Sequence, residues 1–168
     1  MKPVHVWVDA DSCPRSVRDY VIKKAASLSL AVTFVANRAV PVDEKLLINK
    51  NNKKPFFETV VCENTPGAAD DYIVRRAEKG DMIVTRDIVL AAKLAERGLC
   101  VLNDRGTSYT KESAKKKLAD RNFNMQLVSA GLAGNKKNVY GKKEFALFTA
   151  CFDKEIIKLI RERSLSLL

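Results

Sequence analysis

The chain has 168 residues, 46% hydrophobic and 30% charged, a balance that fits one domain with a sizeable core and excludes a disordered or fibrous chain. Its 30 Lys and Arg against 20 Asp and Glu leave a net charge of +10, which points toward polyanionic partners and away from cationic ones. The apolar run after Lys2 stops at Asp9, too soon for a signal core or a membrane span, so a cytoplasmic location with no membrane contact is expected.

Residues 4 to 9, VHVWVD, read as a strand buried on both faces, as in a covered parallel sheet. A helix should follow, with Asp11 or Ser12 as its cap, Pro14 in its first turn, and Val17, Tyr20, Val21 and Ala25 at helical spacing. AVTFVA at 31–36 is the second strand. Pro41, Val42, Leu46 and Leu47 point to a short helix, and NKNNKKP at 49–55 to a polar, basic loop. A third strand near 57–62 precedes a helix from about Ala68 to Lys79 with Ile73, Val74 and Ala77 inward, stopped by Gly80. Met82–Thr85 is a short strand, Ile88–Arg97 a helix closed by Gly98, and Leu99–Leu102 a further buried strand. After a turn at Gly106, helical periodicity runs around 111–120 and again at about 142–162, separated by a Gly-containing loop.

Strands alternating with helices predict a single three-layer α/β domain with a mainly parallel sheet of about five strands. The charge is unevenly placed within it. From Arg105 onward there are 14 Lys or Arg against 6 Asp or Glu, so most of the basic surplus lies in the C-terminal third, which includes the late helices from about 111. Lys115 and Lys116 are candidate phosphate contacts there, although a Lys-rich helix is also what a solvated face looks like. The four cysteines form no CxxC pair and His5 is the single histidine, so no usual structural zinc site can be assembled; reduced thiols serving mostly as core filler are expected. His5, between Val4 and Val6, reads as a satisfied buried imidazole.

The acids carry the functional signal. Asp9 ends the first strand, Asp87 follows the fourth in IVTRD, and Asp104 follows the fifth in VLNDR, which places all three on one rim. Asp70 shares a helical stripe with Ile73, Val74 and Ala77, so it points inward. Gathered carboxylates repel and take up protons unless a cation neutralises them; an all-oxygen set suits Mg²⁺ or Mn²⁺, which can polarise a phosphodiester and activate water. Each acid has a plainer reading as well: Asp11 as a cap, Asp71 as an exposed first-turn acid, Asp81 as the turn of a Gly-Asp step, Asp87 as the cap of the helix at Ile88. Asp9, a charge closing an apolar run, is the hardest to explain without a partner.

The order Asp9, then Asp70 with Ile73, then Thr85-Arg86-Asp87 resembles the PIN-like nuclease superfamily. WVDADSCP at 7–14, AADDYIV at 68–74, GDMIVTRDIVLAAKL at 80–94 and LNDRGTSYT at 102–110 are similar to the blocks of one subfamily, the YaiI/YqxD family. The resemblance implies a PIN-like sheet and metal-dependent ribonuclease activity of the kind inferred for the superfamily. By position it implies Asp9, Asp70 and Asp87 as the acidic core, with Asp11 and Asp104 as further metal ligands and Arg105, Tyr109 and Thr110 on the substrate. The chain departs from the pattern at Gly67, where members often carry aspartate, and at GNKKNVYGKKEF, which lacks the usual Gly-Gly-Pro step. The superfamily's extra glutamate has no clear match among Glu44, Glu58 and Glu63.

The expected function is therefore a Mg²⁺- or Mn²⁺-dependent nuclease, with RNA the favoured substrate. The alternative is a PIN-like protein that binds RNA without cutting it. A haloacid dehalogenase-type phosphatase using the D-x-D of Asp9 and Asp11 ranks third, because VANRAV lacks the Thr or Ser that chemistry needs after the second strand. A cysteine phosphatase loop at Cys13 and Arg18 is excluded by spacing, CPRSVR being one residue short.

Overall fold

The computed structural model describes residues 3–41, 57–134 and 137–166. The short helix expected at 41–47 and the basic loop at 49–55, together with Glu44, lie outside these residues except for Pro41. Strand β1 (His5–Asp9) leads to helix α1 (Arg15–Leu28) and strand β2 (Ala31–Ala36). Strand β3 (Phe57–Val61), helix α2 (Ala68–Arg76), strand β4 (Met82–Val84), helix α3 (Ile88–Glu96) and strand β5 (Cys100–Leu102) continue the alternation. A two-residue strand β6 (Ser108–Tyr109) and two long helices, α4 (Lys111–Ser129) and α5 (Lys142–Leu165), complete it.

Among the described residues the sheet has six strands in the order β3-β2-β1-β4-β5-β6, parallel throughout except for the antiparallel β5–β6 pair. The α/β class and parallel core match the expectation; the sixth strand is the addition. It is too short to show alternation, and it forms because Asn103–Thr107 folds the chain straight back on β5. Side-chain parity sorts the core onto two faces. Val6 and Val8 pack with Val17 and Val21 of α1 and with Phe148, Phe152 and Ile156 of α5, whereas Trp7 faces Ile73 of α2 and Leu90 and Leu94 of α3. Both faces of β1 are thus covered, which is why its sequence is nearly continuous in apolar residues.

Several local expectations are corrected. Helix α1 begins at Arg15 with Pro14 as an extended N-cap and no side-chain cap, so neither Asp11 nor Ser12 caps it. Helix α2 stops at Arg76, before Gly80, because Ala77 is extended and Arg97 donates to the carbonyls of Val74 (2.5 Å) and Ala77 (3.0 Å). Helix α4 runs on to Ser129: beyond Ala114 it has no fully buried residue, and Phe123 and Met125 stand exposed, so its far half has no core stripe for periodicity to reveal. Asp81 does close the turn at Gly80, its amide donating to the Glu78 carbonyl at 3.0 Å, but it has a second task. It is buried, accepts from Trp7 Nε1 at 3.0 Å and from the Glu78 amide at 2.9 Å, and lies 3.8 Å from Arg163.

His5 is buried with Nε2 2.8 Å from Thr33 Oγ1, and its ring stacks on Trp7 at 4.2 Å. All four cysteines are free, and burial pushes the Cys13 thiol far above its ordinary range. Arg18 donates to the carbonyls of Ala10 and Cys13, so that segment forms a helix entry and no phosphate loop. Gly106 has φ +82°, and a Cβ there would sit 2.4 Å from the Leu147 carbonyl oxygen. Only glycine allows the β5–β6 turn to press this closely on α5.

Candidate active site

The sheet order reverses direction at β1 and β4, so their carboxyl ends open a crevice between diverging connections. Asp9, Asp11, Ser12, Asn37, Asp70 and Asp87 line a cleft of about 260 Å³ there. Asp9 is 5% exposed, and its Oδ2 accepts from Thr85 Oγ1 and Ser12 Oγ, both at 2.7 Å. Both hydroxyls fall on one oxygen, and Oδ1 has no hydrogen-bond partner among the described residues. The Asp87 amide in turn donates to Thr85 Oγ1 at 3.0 Å, so one threonine ties the ends of β1 and β4 together.

Burial raises the pKa of Asp9 despite the two hydroxyls that oppose it, and Asp11 and Asp87 add repulsion. Asp70, in the first turn of α2, is pushed up to about 6, first by burial and then by Asp9, Asp87 and Asp71. Asp9 and Asp87 repel the Asp70 carboxylate, and the attraction of Lys93 only partly offsets them, which is the electrostatic mark of an anionic cleft. Asp87 also caps α3: its Oδ1 accepts from the amides of Val89 (2.8 Å) and Leu90 (3.4 Å), so the plainer reading and membership of the cleft hold together. Asp11 is held by the Asn37 amide at 2.6 Å and lies 3.4 Å from Arg38.

Asn37 is a tie that sequence reasoning missed. Besides holding Asp11, its Oδ1 accepts from the Ala69 amide (3.1 Å) and its Nδ2 donates to Thr65 O (3.3 Å), which sets the start of α2 and hence Asp70. Its signal was available as the polar residue just past a fully buried strand. Ser12 and Thr85 were also missed, although they stand one and two positions from predicted acids.

Asp104 lies apart from the other acids. It is fully buried, its Oδ2 is gripped by Nε and Nη2 of Arg86, its main-chain oxygen accepts from Tyr140 OH at 2.8 Å, and its Oδ1 is buried without a hydrogen bond. With Arg86, Asn103, Arg105 and Tyr109 it borders a second cleft, of about 750 Å³, that shares Ser12 and Asp87 with the acidic one. Arg86 and Arg105 lie 5.9 and 5.7 Å from the Tyr140 ring centre. Asn103 builds the turn: its Oδ1 accepts from the amides of Arg105 (3.0 Å) and Thr107 (2.9 Å), and its Nδ2 donates to Tyr109 OH (3.2 Å).

Of the other predicted contacts, Thr110 is the N-cap of α4 in a reciprocal box with Ser113. Lys115 lies 3.5 Å from Glu96 and, like Lys116, does not line the second cleft. The cations of α4 that do are Lys117 and Arg121, one helical turn apart. Among the described residues, no three His, Cys, Asp or Glu side chains are clustered tightly enough to hold an ion as they stand. The donor set is nevertheless all oxygen and shares one cleft, which suits a hard cation that keeps several waters and takes only one or two carboxylates. Among the described residues, no lysine lines that cleft, although Lys93 is near enough to lower the pKa of Asp70.

These features define a three-layer α/β protein with an acidic cleft at the sheet's switch point and a cationic cleft beside it. The chain belongs to the family described as "Uncharacterized BCR, YaiI/YqxD family", whose sequence model matches residues 7–158. It is 41% identical over 160 residues to a UPF0178 protein of Treponema denticola, covering 95% of this chain and 96% of that one. It is 39% identical over 156 residues to a UPF0178 protein of Treponema pallidum, covering 93% and 83%. A UPF0178 protein of Syntrophobacter fumaroxidans is 34% identical over 155 residues, covering 92% and 95%. No solved structure matches the chain. Among the described residues, no helix is long and apolar enough to cross a membrane.

Proposed function

We propose that the protein is a PIN-like, metal-dependent nuclease that hydrolyses phosphodiester bonds, with RNA the favoured substrate. The observation that carries this reading is the convergence of Asp9, Asp70 and Asp87 from three elements on one cleft, where burial first and the neighbouring carboxylates second lift Asp70 to about 6. Asp9, Asp70 and Asp87 would hold a Mg²⁺ or Mn²⁺ ion, with Asp11 assisting from the same cleft. The chemistry such an ion supplies is polarisation of the phosphodiester and a lowered pKa for bound water. Thr85 and Ser12 orient Asp9, and Asp87 is fixed by the start of α3. Arg86 and Arg105 offset the charge of the incoming phosphates.

Calorimetric titration of Mn²⁺ and Mg²⁺ into the wild type and Asp9→Asn, with cleavage assays on structured and single-stranded RNAs, tests this. Saturable binding and metal-dependent cleavage, both lost in the variant, are expected. Metal-dependent cleavage that survives Asp9→Asn would refute the site. The wide spacing of the acids favours one second reading, an RNA-binding protein without catalysis, for which Asp9→Asn would leave RNA affinity intact or strengthen it.

A further inference from the structure

We infer that the acidic cleft is one end of a track for a single nucleic-acid strand, which runs past Arg86 and Arg105 and along α4 through Lys117 and Arg121. This deepens the nuclease reading and rests on it for which phosphate is cut, but not for binding. The hollows are consecutive. Ser12 and Asp87 border both the acidic and the cationic clefts, and Lys117, Arg121 and Asn138 border both the cationic cleft and a further hollow of about 740 Å³ along α4. A mononucleotide would fill one of them; a strand of several nucleotides fills all three.

Charge runs along the same line. Lys111 and Lys115 share Glu96 at 3.7 and 3.5 Å, whereas Lys117 and Arg121 have no ion pair among the described residues. Their separation of four residues is about 6 Å along the helix, comparable with the phosphate repeat of an extended strand. Arg86 is held by the buried Asp104 and is therefore aimed before any ligand arrives. Tyr109 offers a ring at the cleft and Asn138 an exposed side-chain amide, which together with the cations make the usual combination for holding one strand.

The test is fluorescence anisotropy of wild-type protein in EDTA with labelled RNA dinucleotides, tetramers, octamers and dodecamers, across a salt series. Affinity is expected to climb from dinucleotide to octamer and then level off. In Lys117→Gln/Arg121→Gln the octamer should bind more weakly and the slope of log K against log salt should be shallower by about 1.4, or 0.7 for each cation lost on a single strand. Lys115→Gln should leave the slope unchanged. Circular dichroism confirms that the exposed-site variants fold. An octamer that binds no better than a dinucleotide, an unchanged slope in the double variant, or equal displacement by heparin of matched charge would overturn the track. Cleavage is scored separately with Mg²⁺: length-dependent binding without cleavage leaves the track standing and removes the nuclease, and cleavage without length dependence does the reverse.

Discussion

Replacing Asp70 with asparagine should stabilise the metal-free protein at neutral pH. In the unfolded chain its carboxyl titrates near 3.8, and in the folded protein it is pushed up to about 6. Between those values the folded state holds the proton more tightly, so wild-type stability is full below pH 4 and falls as pH rises through 6. A shift of about two units corresponds to at most about 3 kcal/mol, and solvent access to the half-buried group reduces this to about 1–2 kcal/mol. Asparagine cannot charge, so the variant should match the wild type near pH 4 and exceed it by that amount at pH 7, about 2–8 °C in Tm for a chain of this size. Urea unfolding at each pH from 4 to 8 measures the difference, which includes the relief Asp9 gains when the neighbouring charge is removed. Saturating Mg²⁺ should narrow or reverse the order at pH 7, because an ion that binds only the native state stabilises the wild type more. A difference that stays flat from pH 4 to 7 would refute the electrostatic account of the cleft.

Three further outcomes are expected. Arg86→Ala leaves Asp104 buried without its counter-charge and should cost about 3 kcal/mol, the low end for a broken buried pair because Arg86 itself is 47% exposed; urea unfolding measures it, and Arg86→Ala/Asp104→Leu should regain part of the loss. Gly106→Ala must push the Leu147 carbonyl away at a positive φ and should lower stability by about 2–4 kcal/mol, read as an earlier thermal transition. Thr85→Val removes a buried donor to Asp9 and an acceptor for the Asp87 amide; it should cost about 1–3 kcal/mol, raise the Asp9 pKa further, and weaken Mn²⁺ binding in calorimetry.

The parallel core could be read from the chain because its strands are covered on both faces and so are written in apolar runs, each ended by Gly, Pro or a helix start. The rim acids were legible for the same reason: Asp9 and Asp87 interrupt those runs. What the sequence hid depends on contacts distant along the chain. Asp104 follows a strand just as Asp9 does, yet Arg86 draws it out of the acidic set, and no local pattern announces that pairing. Lys115, Lys116 and Lys117 are interchangeable in a composition; only the rotation of α4 against α3 and β6 turns Lys117 toward the cleft and Lys115 toward Glu96. Asn37 was hidden because its role is to bridge three loops, a task that leaves no periodic trace.

The close fit of Gly106 beneath Leu147 also bears on the order in which the site comes together. Asp9, Asp11, Asp70 and Asp87 all precede residue 88, while Arg105, Lys117, Arg121 and Tyr140 all follow residue 104. The β5–β6 turn that joins the two groups is seated by α5, whose Phe148, Phe152 and Ile156 are fully buried against the opposite face of the sheet. A nascent chain halted before Lys142 would already hold its acids but would lack the helix that sets the turn and brings Tyr140 against Asp104. The acids and Arg86 thus precede the turn in the chain and the other cations follow it, and the two groups are joined into a single site where α5 seats that turn.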